Sequence, residues 1–170
     1  MRAAALRTVI ACFTLVRCLN PANAIDIKEV VSPGGIRAWL VENHNIPLIA
    51  MNFSFEGGTT SDPAGKEGAV NFITGMMDEG AADLDSAAFQ ARRDELAVRI
   101  MFDAGGDQFE GAIQTLSKNR REAFALLRKA LTAPHFEKEA MERVRQQFLL
   151  GAKDDEQDPE KIASRAWMKL

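Results

Sequence analysis

The sequence predicts an α+β domain: a mixed or antiparallel β-sheet with helices packed on one face. Three observations point there. Some stretches alternate apolar and polar residues, the period of a half-buried strand, while others space apolar residues three and four apart, the period of a helix. The two kinds occur in runs, in the order βββααββααα, rather than in strict alternation. The chain, at 170 residues, is long enough for one domain with a real core.

The strands come first. "IKEVV" (27–31) and "IRAWLV" (36–41) flank "SPGG", a turn composition, and read as a hairpin. In "LIAMNFSF" (48–55), Ile49, Met51, Phe53 and Phe55 share one face. A long polar loop, "EGGTTSDPAGKEG" (56–68), leads into helical patterning from Glu67 to about Met77. A second helix runs from Ser86 to about Leu96, with Asp85 as its N-cap. "AVRIMF" (97–102) and "DQFEGAIQTL" (107–116) are strands joined through "DAGG". Val98, Ile100 and Phe102 share one face, as do Phe109, Ile113 and Thr115. Helical spacing returns with Phe124, Leu127 and Leu131 before Pro134, then with Met141, Val144 and Phe148. A last helix starts after Asp158 with Pro159 at its first position. The chain stops inside it at "RAWMKL", which reads as a cut rather than a finished end.

The first 24 residues read as a signal peptide. Arg2 and Arg7 precede the apolar run "TVIACFTLV", and Ala22-Asn23-Ala24 fits a small-x-small cleavage site. The run is too short to cross a bilayer, which takes about 20 residues. Arg17 just before Cys18 is a poor fit to a lipoprotein site, so secretion, to the periplasm or beyond, is expected without a stable membrane anchor. Cleavage would take both cysteines, Cys12 and Cys18, and three of the 21 basic residues, shifting the net charge from −3 to −6. An acidic chain without a basic cluster argues against nucleic acid and anionic lipid as partners.

Few residues invite chemistry. His44 in "ENHNIP" reads as an exposed turn residue, and His135 in "APHF" as a cap or loop residue between two helices. Met76 and Met77 read as core, and Asp78 and Glu79 as a solvated helix end. Asp154 and Asp155 fall in an acidic loop region. The "GGT" at 57–59 lacks the Lys-Ser/Thr of a phosphate cradle. Gly75 costs a helix interior about 1 kcal/mol against Ala, so it asks for a reason: a vacated site, or close packing against another element.

The segment "FSFEGGTTSDPAGKEGAVNFITGMMDEGA" resembles the strand–loop–helix of the insulinase and mitochondrial-processing-peptidase family, peptidase family M16. "LAVRIMFDAGGDQFEGAIQTL" and "AFALLRKALTAPHFEKEAMERVRQQFL" are similar to the strands and helices that follow in that family. The resemblance spans nearly all of 27–170 and lies in spacing and order rather than in one short motif. It implies that 25–170 form part of an M16-like N-terminal domain.

Active members of that family carry His-x-x-Glu-His on a helix. Residues four apart share a face, so two imidazoles can grip one zinc, and the Glu serves as base for the zinc-bound water. Carried over residue by residue, the first His falls on Asn71, the Glu on Thr74 and the second His on Gly75. The distal Glu ligand falls near Gly151. All four positions are altered, so the resemblance implies no catalytic residue and no metal or other cofactor here. Zinc would belong to an active M16 zinc-peptidase subunit as partner, with a peptide as the shared substrate.

The expected function is therefore that of a non-catalytic, substrate-enclosing or scaffolding subunit. Its strand 48–55 or 107–116 would offer an edge to an extended peptide. An active metallopeptidase with non-standard ligands, and an incomplete fragment without independent function, are the alternatives.

Overall fold

The structure, a computed structural model, describes residues 25–168. The expected signal peptide, 1–24, lies outside the described residues. The chain divides between Ile46 and Pro47 into two compact units.

In the first unit, β1 (Ile27–Val31) pairs antiparallel with β2 (Arg37–Val41), Ile27 facing Val41 and Val31 facing Arg37. The predicted turn closes with the Ser32 N–H donating to the Ile36 carbonyl at 2.8 Å and the Gly35 N–H to the Ser32 carbonyl at 2.9 Å, while Ser32 Oγ accepts the Ile36 N–H at 3.0 Å. Both strands are exposed along their whole length. A two-stranded ribbon like this has no core of its own and is marginal in water alone.

The second unit holds a three-stranded antiparallel sheet. β3 (Leu48–Glu56) and β4 (Arg99–Gly105) flank β5 (Gln108–Leu116). The segment 107–116 is thus the central strand and not an edge, which corrects one of the two edges expected from the sequence; 48–55 is an edge, and so is β4. The β4–β5 turn sits one residue pair later than "DAGG" suggests. Gly105 still pairs with Gln108, and Gly106, at φ +49°, takes the left-handed corner.

One face of this sheet is covered. Val98, Ile100 and Ile113 meet Phe89, Leu96, Ala123, Leu126, Leu127 and Ala130 in a single buried cluster, with Met51, Phe53 and Phe102 packed against it. Glycine is required at 111 because the Phe53 ring lies directly over it; a Cβ there would come within 2.1 Å of the ring. Fully burying a side chain such as Phe89 is worth about 1.5–3 kcal/mol.

Five helices complete the described residues: α1 (Ala69–Met76), α2 (Ser86–Glu95), α3 (Arg120–Thr132), α4 (Lys138–Gln157) and α5 (Pro159–Trp167). Asp85 caps α2 by accepting the Ala88 N–H at 2.8 Å, and Asp158 caps α5 by accepting the Glu160 N–H at 2.8 Å, with Pro159 at N1. Helix α4 runs on to Gln157, so Asp154 and Asp155 lie in a helix and not in the loop expected of them. A second small cluster, Met76 with Ala140 and Val144 and with Phe72 against it, joins α1 to α4.

Candidate functional site

Helix α1 carries three of the four positions singled out in the sequence, and its start is fixed from a distance. Gly68, before its first residue, is left-handed at φ +93° and has no side chain to cap with. Asp62 does so instead, one carboxylate oxygen accepting the Gly68 N–H at 2.7 Å and the other the Val70 N–H at 2.8 Å. A carboxylate there also complements the positive end of the helix dipole. The spacing of six and eight residues hides this cap from any local sequence rule.

Along α1, Asn71 is half-buried and Thr74 is buried. The Thr74 hydroxyl donates to the Asn71 carbonyl at 2.7 Å, so it is already engaged within its own helix. Gly75 faces α4. A Cβ placed on it would stand 2.8 Å from the Phe148 ring and 3.0 Å from Val144 Cγ1. The Phe72 and Phe148 rings lie alongside, with centroids 6.2 Å apart. Of the two reasons the sequence left open for Gly75, close packing against another element is therefore present.

Gly151, the fourth position, is exposed on α4 and meets nothing within 4 Å on its Cβ side. It borders a shallow concavity of about 450 Å³ lined also by Gln147, Phe148, Ala152 and Asp155. The structure thus seats Gly75 against Val144 and Phe148 and leaves Gly151 at an open surface. The spacing in the sequence puts Phe148, four residues after Val144, on the apolar stripe of α4 but does not connect it with Gly75.

This donor set does not suit zinc. Asn71 offers an amide, Thr74 a hydroxyl bound to its own helix, and the two glycines offer nothing, whereas a catalytic zinc takes three strong protein ligands. Among the described residues, no three His, Cys, Asp or Glu side chains are grouped to hold a metal ion.

The end of α1 departs from the expected solvated one. Asp78 receives Arg93 at 2.6 Å, and Glu79 is paired with Arg143 and accepts the Ser86 hydroxyl at 2.7 Å. The Glu79 side chain is only 15% exposed. Burial holds the Asp78 carboxyl above its ordinary value, outweighing the opposite pull of Arg93. These two carboxylates clamp the end of α1 to α2 and α4.

The histidines stand apart from this. His44 is exposed in the turn before β3. His135, between α3 and α4, donates its N–H to the Gly80 carbonyl at 2.9 Å, and its Nε2 donates to the Ala82 carbonyl at 2.8 Å. It staples the loop after α1 to the loop after α3.

No family model matches the chain. A Helicobacter pylori protein described as "Non-peptidase homolog YmxG" is 24% identical over 142 residues, covering 84% of this chain and 33% of that protein. The crystal structure of a peptidase M16 inactive domain from Pseudomonas fluorescens superposes with a TM-score of 0.75 at 24% identity, over 85% of this chain and 35% of that one. Pitrilysin superposes at 0.61 with 13% identity, over 74% of this chain and 13% of that one. The chain spans about a third of the length of the first two relatives. Its α+β fold is that of the M16 peptidases, and the relatives it matches include inactive ones.

Proposed function

We propose that this M16-like chain is a non-catalytic unit that encloses a peptide beside an active zinc metallopeptidase partner. The observation that carries this reading is at Gly75: where the resemblance puts a zinc-binding imidazole, Phe148 and Val144 fill the space a side chain would need. The unit would contribute a wall and a sheet edge, β3 or β4, along which an extended peptide can add as a strand. A leader over 1–24, as expected from the sequence, would direct the chain to the periplasm or outside the cell, where unfolded or small polypeptides are the expected substrates.

The test is zinc content and peptide hydrolysis of the purified chain, alone and with a zinc-motif homologue from the same source. We expect no stoichiometric zinc, no cleavage alone, and a raised rate for the homologue when the chain is added. One tightly bound zinc with unaided, chelator-sensitive cleavage would overturn the reading.

A further inference from the structure

The sheet face opposite the core is bare. Its residues form rows across the three strands: Ala50, Gln114 and Arg99; Asn52, Ala112 and Met101; Ser54, Glu110 and Asp103; Glu56, Gln108 and Gly105. The middle rows border a concavity of about 580 Å³. Asp103 and Glu110 stand directly opposite each other on β4 and β5, and Glu56 lies diagonally beyond Glu110 on β3. Side chains directly opposite on adjacent strands have their Cβ atoms about 5 Å apart, and like charges in that position are destabilising.

Among the described residues, none of Asp103, Glu110 and Glu56 makes an ion pair. The basic side chain on this face, Arg99, lies four residues from Asp103, roughly 13 Å along the strand. The adjoining row is apolar: Met101 is 56% exposed beside Ala112. So one row of the concavity lacks a positive charge, and the next, two residues along, presents bare hydrocarbon.

We propose that this face docks an extended cationic peptide, with a Lys or Arg over the Asp103–Glu110 row and an apolar side chain two residues away over Met101 and Ala112. An extended chain repeats its side-chain direction every two residues, which is the separation of the two rows. The cation relieves the repulsion between the carboxylates, and the apolar side chain covers Met101. A metal ion would answer only the first need, and no third ligand stands near enough to complete a site. The inference rests on the reading of the chain as a peptide-enclosing unit and names the chemistry of the peptide.

The experiment is fluorescence anisotropy of a dansyl-labelled peptide, Gly-Thr-Lys-Thr-Leu-Thr-Gly, titrated with the full chain at low salt, beside its Gln-for-Lys and Glu-for-Lys counterparts. The Lys peptide should bind best and weaken with salt. Asp103→Asn with Glu110→Gln should weaken it about fivefold, and Asp154→Asn with Asp155→Asn, equal in charge but on α4, should not. Equal binding of the Lys and Gln peptides, or equal loss from both double variants, overturns the cationic site while leaving a peptide-enclosing unit intact. No binding of any peptide overturns it too; stimulation of a zinc homologue then decides separately whether the chain acts as a subunit.

Discussion

At Gly75 two preferences oppose each other. Helix propensity favours Ala over Gly by about 1 kcal/mol, but a Cβ would press on Phe148 and on Val144, which is 1% exposed and stiff. Overpacking of this kind costs about 1–3 kcal/mol, so Gly75→Ala should lower stability by roughly 1 kcal/mol. In a Phe148→Ala background the same change should be neutral or stabilising. A double-mutant cycle by urea unfolding reads the coupling, and additive effects would show that Phe148 does not press on this position.

Asp78 yields a second outcome at this scale, with a definite sign. Burial raises its carboxyl above the ordinary value, so the folded chain holds that proton more tightly than the unfolded one. The stability this group contributes is full below the ordinary carboxylate range and is lost as pH rises through the raised folded value. Asp78→Asn removes the titration and keeps an acceptor for Arg93. Its stability relative to the parent should therefore climb between pH 3 and pH 7 in urea unfolding series. A fall over that range would mean that Arg93, at 2.6 Å, outweighs burial.

Helix α2 shows what an element needs at its end. After Leu96, the Ala97 N–H bonds to the Asp94 carbonyl and the Val98 N–H to the Arg93 carbonyl, the paired bonds of a Schellman ending. The residue between turns left-handed, and here it is Ala97 at φ +46°, where glycine normally stands. Ala97→Gly should raise stability by about 0.5–1 kcal/mol, seen as a higher urea midpoint with an unchanged slope.

Most elements were legible because their cause is local. The alternation of Ile49, Met51 and Phe53, the cap at Asp85 and the Asp158-Pro159 start each follow from a few neighbouring residues, and all three are found. What could not be read depends on distant partners. Strand 107–116 is central because β3, some sixty residues earlier, pairs with its other side. Asp78 and Glu79 read as solvated because Arg93 and Arg143 come to them from 15 and 64 residues away. The candidate site divides the same way: Asn71, Thr74, Gly75 and Gly151 could be named from spacing, while the Phe148 ring over Gly75 needed the α1–α4 packing.

For the whole molecule, the distribution of apolar surface carries the argument. Helix α4 buries Ala140 and Val144 in its first two turns, and its second half exposes Leu149 and Leu150 at 44% and 61%. Helix α5 buries nothing, although Ile162 and Trp167 are 48% and 78% exposed. Apolar surface on consecutive helices, beyond the scattered single residues of ordinary surfaces, is what a face covered by another protein surface would present. This is also the signature expected of an incomplete unit, and both readings require the face to be sticky when the chain is alone. Light scattering at increasing concentration should show self-association, with binding of an environment-sensitive apolar dye. Leu150→Glu with Ile162→Glu should suppress both while leaving the urea midpoint within about 0.5 kcal/mol, since neither side chain belongs to a buried cluster. If the parent chain stays monomeric and dye-free at high concentration, the exposed α4–α5 face is not an interface. The enclosing role would then rest on the sheet alone.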